Sequence, residues 1–388
     1  MKKKSITVFY SSSIKLYNGE FYCNGGFGRF FSKLTEKYDK VYLCAPCIHV
    51  NEQPIDFKII KKNWELQKLP QYTSYIGSFK FLPAVIKKII EYSKVWSKLY
   101  IRFPSPFALT CALIASFRGV DFVLHVVGDT KVIVNQGTKY KGITKLAANV
   151  YCHFHDYSIR ALIKISRGTL FNGSGMRRIY GKPDDKIKEI RTSTFDKSEI
   201  FYRNDNGYSN ILFVGYLRHE KGVPILLDAL NYLPESYRLT IVGNGPEREN
   251  LESKVNENSY IKERVIFKGH IPLGEELFNE YKNANIFVLP SISEGTPRVV
   301  VEAMAFGNLI VASNTGGIPY TVSDNSNGLL FEVGSPKDLA KKIKLLQDDN
   351  DLREKLRNAG YNLANANTLD SHVDEVYNFI QEKTNKPK

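Results

Sequence analysis

The stretch Ile286-Phe-Val-Leu-Pro-Ser-Ile-Ser-Glu-Gly-Thr-Pro-Arg-Val-Val-Val-Glu-Ala-Met-Ala-Phe-Gly307 reads as a strand, a turn and a buried helix. Ile286–Pro290 is short, apolar and closed by turn residues, the pattern of a strand buried in a parallel sheet. Thr296 is placed to cap a helix that opens with Pro297 at its first position and closes at Gly307. Between them Val299, Val300, Val301, Ala303, Met304, Ala305 and Phe306 leave almost no polar face, so the helix is expected to be buried. A strand running through a short turn into a buried helix is the repeating unit of a doubly wound α/β sheet.

Two carboxylates interrupt this apolar unit. Glu302 lies inside the buried helix, which is costly unless a fixed partner meets it. A buried Arg or Lys would serve, and so would a bound ligand. Glu294 stands just before the helix, beside free backbone N–H groups that favour an anion. Two placed carboxylates around an anion-attracting helix start suggest a site for a nucleotide sugar.

The same unit recurs outward in both directions. In the second half, Asn210–Gly215, Arg238–Val242, Val265–Gly269, Leu309–Ala312 and Leu329–Glu332 read as further strands separated by helices. In the first half, Ile6–Tyr10, Val41–Ala45, Leu99–Phe103, Phe122–Val127 and Thr169–Asn172 read as strands. Phe31–Tyr38, Pro83–Trp96, Ala108–Phe117 and Gly142–Ile165 read as the helices between them. The polar run Asp196–Ser209 is the expected linker. The reading is therefore α/β, with a Rossmann-like domain over 1–195 and a second over 196–366, facing across a cleft. Residues 367–388 form a last helix expected to pack back on the first domain.

A chain of 388 residues suits two such domains, and 43% hydrophobic with 24% charged residues is ordinary for a globular protein. The 54 Lys and Arg against 40 Asp and Glu give a net charge of +14, which favours anionic partners. Cys23, Cys44, Cys47, Cys111 and Cys152 make no disulfide framework, and Cys44-Ala-Pro-Cys47 follows a strand rather than opening a helix. The basic start has too short an apolar core for a signal peptide, and no apolar run is long enough to span a bilayer.

Strand ends carry the remaining chemistry, because ligands of open α/β sheets gather beyond the carboxyl ends of the strands. Phe213-Val-Gly-Tyr-Leu-Arg-His-Glu-Lys-Gly222 leads into an apolar helix, so Lys221 stands where its charge can meet a diphosphate. Asn314-Thr-Gly-Gly-Ile-Pro319 offers Gly316 and Gly317 for close backbone approach, to a ligand or in a plain tight turn. Val242-Gly-Asn-Gly-Pro246 reads as a structural turn.

Taken in order, Val214–Gly222, Ile241–Arg248, Val265–Gly269, Ala284–Ala305, Gly316–Pro319 and Asn327-Gly-Leu-Leu resemble glycosyltransferase family 4, retaining enzymes of GT-B fold. The resemblance covers most of residues 210–365. In the first half Arg102-Phe-Pro-Ser105 and Val126-Val-Gly-Asp129 resemble strand ends of bacterial members that build surface polysaccharides. It implies a metal-independent, retaining, hexosyl-type transferase moving sugar from a nucleotide diphosphate sugar to a glycan or lipid-linked oligosaccharide. The setting implied is O-antigen (lipopolysaccharide), capsule or exopolysaccharide synthesis. Carried over by position, Glu294 faces the donor sugar, Glu302 the ribose and Lys221 the diphosphate. Gly215, Gly295, Thr296, Pro297, Gly316 and Gly317 complete the donor side, and Gly25, Gly26 and Gly28 form a glycine loop on the acceptor side. Two positions depart from the pattern. Tyr216 replaces an Arg, whose contact Arg218 is expected to take over, and Gly128 replaces a His, leaving Asp129 as the acceptor-side catalytic candidate.

Other readings fit less well. His153-Phe-His155-Asp156 puts its rings on different helix faces, so no metal is expected there. The glycines after the first strand lack the nicotinamide fingerprint, since Phe31 stands where the third glycine belongs. Nucleic-acid binding would explain the charge but not the glutamates. The rival is a catalytically weak GT-B-like binding or scaffold protein. Leu82, Val85, Ile86, Ile89 and Trp96 form one helical stripe and Lys87, Glu91, Lys94 and Lys98 another, a pattern for an anionic membrane surface or a packed helix. The expected location is cytoplasmic, peripheral on the inner face of the membrane.

Overall fold

The computed structural model describes residues 4–72, 75–128, 143–181, 186–204 and 208–385. Contacts divide the chain into two units, Met1–Ile190 with His372–Lys388, and Arg191–Ser371. Each is built on its own sheet.

The second unit has six strands: β11 (Asn210–Val214), β12 (Arg238–Val242), β13 (Val265–Gly269), β14 (Ile286–Leu289), β15 (Leu309–Ser313) and β16 (Leu329–Phe331). Every pair is parallel, in the order β13-β12-β11-β14-β15-β16. The chain winds outward from β11 to one edge, then returns to β14 and winds to the other. This is the dinucleotide-binding winding, with its switch point between β11 and β14. Alternate residues serve opposite faces: Ile211 and Phe213 join one apolar core with Leu226 and Leu230, while Leu212 and Val214 join another with Val300 and Ala303. Both faces of the inner strands are covered, which is why β14 and β15 are buried along their whole length and almost wholly apolar.

The first unit follows the same scheme. Its strands are β1 (Ser5–Phe9), β2 (Ile14–Tyr17), β3 (Glu20–Cys23), β4 (Lys40–His49), β5 (Phe57–Ile59), β6 (Trp64–Leu69), β7 (Lys98–Phe103), β8 (Asp121–Val126), β9 (Gly168–Asn172) and β10 (Ile187–Ile190). From β6 through β4 and β1 to β7, β8, β9 and β10 the pairs are parallel, with the switch point between β1 and β7. The helices Leu82–Tyr92, Ala108–Phe117 and Ile143–Ile165 contribute Val85, Ile89, Cys111, Ala112, Ile159 and Leu162 to one core with Phe9, Ile101 and Leu124. The terminal helix from Leu369 enters this unit at His372, whose ring stacks on Phe30, and Lys98 donates to Gln381 at 3.0 Å. These two Rossmann-like units are those of the GT-B fold.

Several expectations need correcting. Asp196–Ser209 was the expected linker, but the division falls at Ile190/Arg191 and the described part of that run is anchored in the second unit. Phe195 and Ile200 are in its core, and the Arg203 guanidinium donates to the carbonyls of Tyr281, Lys282, Ala284 and Phe306. The Gly25–Gly28 segment is not a loop. It is the first turn of the helix Gly25–Thr35, which begins well before Phe31 because the Asn24 side chain accepts from the Gly26 N–H at 3.1 Å. In the deciding stretch the helix spans Arg298–Ala305 and Pro297 itself is the capping residue, so Thr296 lies one position outside. The β2–β3 hairpin was not expected, although Asn18 (φ 46°) and Gly19 (φ 78°) form its two-residue turn.

Candidate functional site

Loops from β11, β14 and β15 interlock at the switch point of the second unit. After β11 the chain passes Gly215–Arg218 and makes a single 3-10 turn, His219–Lys221, before the helix Val223–Leu230. Gly222 joins them at φ +63°, and a Cβ there would lie 2.0 Å from the Pro290 carbonyl oxygen. That contact brings Lys221 against the β14 loop. Its Nζ lies 2.6 Å from Oε2 of Glu294, with the two side chains 25% and 14% exposed. Ser291 Oγ donates to the same oxygen at 3.3 Å, and the Gly295 N–H reaches Oε1 at 3.2 Å.

The third loop fixes the Glu294 backbone. The Gly317 N–H donates to the Glu294 carbonyl at 2.9 Å, and Gly316 turns at φ +53° to allow it. A Cβ on Gly317 would stand 1.6 Å from the Gly295 oxygen, so only glycine permits this approach. Thr315 Oγ1 donates to the Ile292 carbonyl at 3.1 Å. Glu294 is thus held through both its side chain and its backbone. Gly295 is exposed with open space beside it, while Pro297 is buried.

Glu302 is 6% exposed. Thr194 Oγ1 donates to Oε1 at 2.6 Å and the Tyr281 hydroxyl to Oε2 at 3.0 Å. Two hydroxyls, rather than an Arg or Lys, are therefore the partners that meet it here. Each carboxylate oxygen keeps a lone pair for a further donor. Burial, then the nearby Glu302 charge, pushes the Tyr281 phenol well above its ordinary range, so this hydroxyl remains a donor at every working pH.

Arg218 sits on the outer side of the site with its guanidinium 4.8 Å over the Tyr216 ring and Nη1 3.7 Å from Glu220. The two side chains share one side of the loop, and Arg218 is 53% exposed. Val242–Pro246 splints the loop from behind, since Gly215 N–H donates to Val242 and Leu217 N–H to Asn244. That turn braces the β11 loop through these backbone bonds.

In the first unit, Phe27 of the Gly25–Gly28 turn stacks on Tyr10 with ring centroids 3.6 Å apart, and the Arg102 guanidinium lies 5.5 Å from the Phe27 ring centroid. This group sits at the carboxyl ends of β1 and β7. His125 is fully buried and bonded to the Tyr100 hydroxyl, as a core residue. His153 is exposed while His155 is buried against Phe103. Asp129 lies outside the described residues. Among those described, no group of three or more His, Cys, Asp or Glu is arranged to hold a metal ion. Asp349 caps the helix Asn350–Ala366. Sequence reasoning missed Ser291, Thr194 and Tyr281, which meet the glutamates only through the fold.

An uncharacterized glycosyltransferase of Methanocaldococcus jannaschii is 35% identical over 308 residues, 77% of this chain and 79% of that protein. The family Glycosyl transferases group 1 matches residues 195–363. The chain belongs to this family. The match region of this group 1 glycosyltransferase carries Lys221, Glu294 and Glu302. The chain is also similar to the sulfoquinovosyl transferase of Arabidopsis thaliana, 32% identical over 183 residues, which are 46% of this chain and 34% of that one. A Campylobacter jejuni α-1,4-N-acetyl-D-galactosaminyltransferase, named for an undecaprenol-diphosphate-linked acceptor, is 29% identical over 192 residues, 48% of this chain and 52% of that one. The chain thus spans about a third to a half of these two relatives' lengths. Among solved structures, Anabaena HepE in complex with UDP superposes with a TM-score of 0.73 at 15% identity, covering 98% of this chain and 100% of that one. WaaG, a glycosyltransferase involved in lipopolysaccharide biosynthesis, gives 0.68 at 15%, covering 97% and 99%.

Proposed function

We propose that this glycosyltransferase is a retaining, metal-independent enzyme that takes its sugar from a nucleotide diphosphate sugar. The observation that carries the proposal is the Lys221–Glu294 contact at the switch point of a dinucleotide-type sheet. Lys221 meets the diphosphate, and Arg218, released from Tyr216 and Glu220, adds the second positive charge that a metal would otherwise supply. Glu294 accepts from the donor sugar's hydroxyls, and Glu302, through its remaining lone pairs, from the ribose. Gly215, Gly295, Thr296, Pro297, Gly316 and Gly317 line the donor side with backbone groups.

In the reaction the bond from the anomeric carbon to the diphosphate oxygen breaks, and a bond to an acceptor hydroxyl forms on the same face. The acceptor proton passes to the departing diphosphate. Asp129 and the Gly25–Gly28 turn are assigned to the acceptor side. The acceptor is a glycan or lipid-linked oligosaccharide in surface-polysaccharide synthesis, consistent with relatives named for an undecaprenol-linked substrate and for lipopolysaccharide. The enzyme works in the cytoplasm, peripherally on the inner membrane face. Among the described residues no helix is long and apolar enough to cross a membrane.

Thermal unfolding of purified protein against a panel of sugar nucleotides tests the donor reading, because a ligand that binds only the folded form raises the melting temperature. A shift for at least one sugar nucleotide, exceeding that of the free sugar, is expected. No shift at millimolar concentration for any member would overturn it.

A further inference from the structure

The first residue of the helix Arg298–Ala305 is a cation at the end where a helix favours an anion. Aligned peptide dipoles leave positive charge at a helix start, and the N–H groups of the first turn have no acceptor within the helix. The helix itself offers nothing to offset that charge. Its N-cap position is Pro297, whose side chain accepts no hydrogen bond, and no acidic residue stands in the first turn. Arg298 adds a full positive charge to it. The side chain is exposed, and among the described residues no hydrogen bond or ion pair engages its guanidinium. A cation that served solubility alone could sit on any free face, whereas at this position it weakens its own helix. A charge that breaks a local rule with no compensating contact is a mark of a binding site.

The neighbours of Arg298 identify the missing partner. Arg298 and Glu302 stand one turn apart, at i and i+4, so they share a helix face, and side chains on a helix lean toward its start. No ion pair joins them, for Glu302 is held instead by the hydroxyls of Thr194 and Tyr281. The Arg298 charge still reaches this group, where it opposes the rise that burial and Glu302 impose on the Tyr281 phenol. On the other side Glu294, four residues before Arg298, is bonded to Lys221. The charged groups are thus negative at both ends, Glu294 and Glu302, and positive between them. A nucleotide diphosphate sugar has the complementary order: sugar hydroxyls, two phosphates, ribose hydroxyls. With the sugar on Glu294 and the ribose on Glu302, covalent connectivity puts the ribose-bonded phosphate on the Arg298 side and the sugar-bonded phosphate on the Lys221 side.

We propose that Arg298 binds the phosphate nearest the ribose, while Lys221, with Arg218 on the same loop, takes the phosphate nearest the sugar. The inference rests on the donor reading above and goes beyond it by adding a residue and giving each phosphate its own cation. A guanidinium meets two phosphate oxygens in a fork that an ammonium cannot reproduce. The bound phosphate also supplies the negative charge that the helix start lacks, so the cost of Arg298 is carried only while the site is empty.

Calorimetric titration with three ligands tests it: the nucleoside, its monophosphate and its diphosphate, for the base whose sugar nucleotide gives the largest melting shift. In the wild type the first phosphate is expected to tighten binding over the nucleoside about 10-fold or more. Arg298→Gln is expected to lose that gain, with nucleoside affinity unchanged and the further gain from the second phosphate kept. Lys221→Ala is expected to do the reverse, losing the second step and keeping the first. Arg298→Lys keeps the charge without the fork and is expected to fall between Arg298→Gln and the wild type. Without ligand, Arg298→Gln is expected to raise the melting temperature, since no cation then opposes the helix start. A structural arginine would behave otherwise. A lower melting temperature with equal losses for all three ligands would overturn the proposal, and so would wild-type gains from both phosphates in Arg298→Gln. No melting shift for any sugar nucleotide would overturn the donor reading and this inference with it, whereas phosphate binding that ignores Arg298 overturns the inference alone.

Discussion

Lys221 and Glu294, 73 residues apart in sequence, meet at 2.6 Å between Nζ and Oε2 where the loops of β11 and β14 leave the sheet. The pair is partly buried, so it is shielded from the screening that leaves surface ion pairs nearly worthless. In the donor-binding mode proposed above, a diphosphate arriving at this point competes with Glu294 for Lys221. Lys221→Ala is therefore expected to weaken donor binding at least 10-fold, and the double variant with Glu294→Ala less than the sum of the two singles. Calorimetric titration with the best sugar nucleotide, run as a double-mutant cycle, measures the difference. Additive losses would show that the two act independently.

Glu302 depends on two hydroxyls. Tyr281→Phe leaves Oε2 without its buried donor and is expected to cost about 1–3 kcal/mol of stability, read by urea denaturation. Glu302→Ala is expected to act mainly on donor affinity rather than turnover. Unchanged affinity in that variant would remove Glu302 from the donor site.

Arg218 stacks on Tyr216 with room to turn. Arg218→Ala is expected to lower donor affinity about 10-fold, whereas Tyr216→Ala, which removes only the resting place, is expected to be nearly neutral. Equal affinity for wild type and Arg218→Ala would discard its diphosphate role.

These assignments show what was legible in the sequence. The βα rhythm gave both sheets because strands covered on two faces, such as Ile286–Leu289, are apolar throughout and end at turn residues. Glu294, Glu302 and Lys221 stood out as charges set in apolar surroundings or at a helix start. Thr194 and Tyr281 did not, since a hydroxyl beside a carboxylate distant in sequence leaves no local mark. The first unit was harder to read. The Asn18-Gly19 turn carried a hairpin signal, but Asn24 hid a helix start among glycines that usually mark a loop. Arg203 sits in a polar run that looks like a linker, yet its guanidinium gathers carbonyls from elements far along the chain.

His155, buried against Phe103, gives the first unit a pH dependence. Burial lowers the His155 pKa from its usual 6.5 to about 4, with Asp156 opposing the shift. Above pH 6.5 the ring is neutral folded or unfolded, and its contribution is complete. As pH falls from 6.5 toward 4 the unfolded chain takes up a proton that the folded chain refuses, and about 3 kcal/mol of stability is lost. Denaturation midpoints measured from pH 7 to pH 4 are expected to fall, with a shallower slope in His155→Phe. An equal slope in that variant would assign the loss to other groups.

The most direct test of the account is the rate of nucleoside diphosphate release from the sugar nucleotide that most stabilises the protein, in wild type and in Glu294→Ala. The account predicts measurable release by the wild type and a fall of roughly 10²-fold or more in the variant, with the melting temperature preserved. Equal rates in the two proteins, or no release by either in the presence of glycan and lipid-linked acceptors, would contradict it.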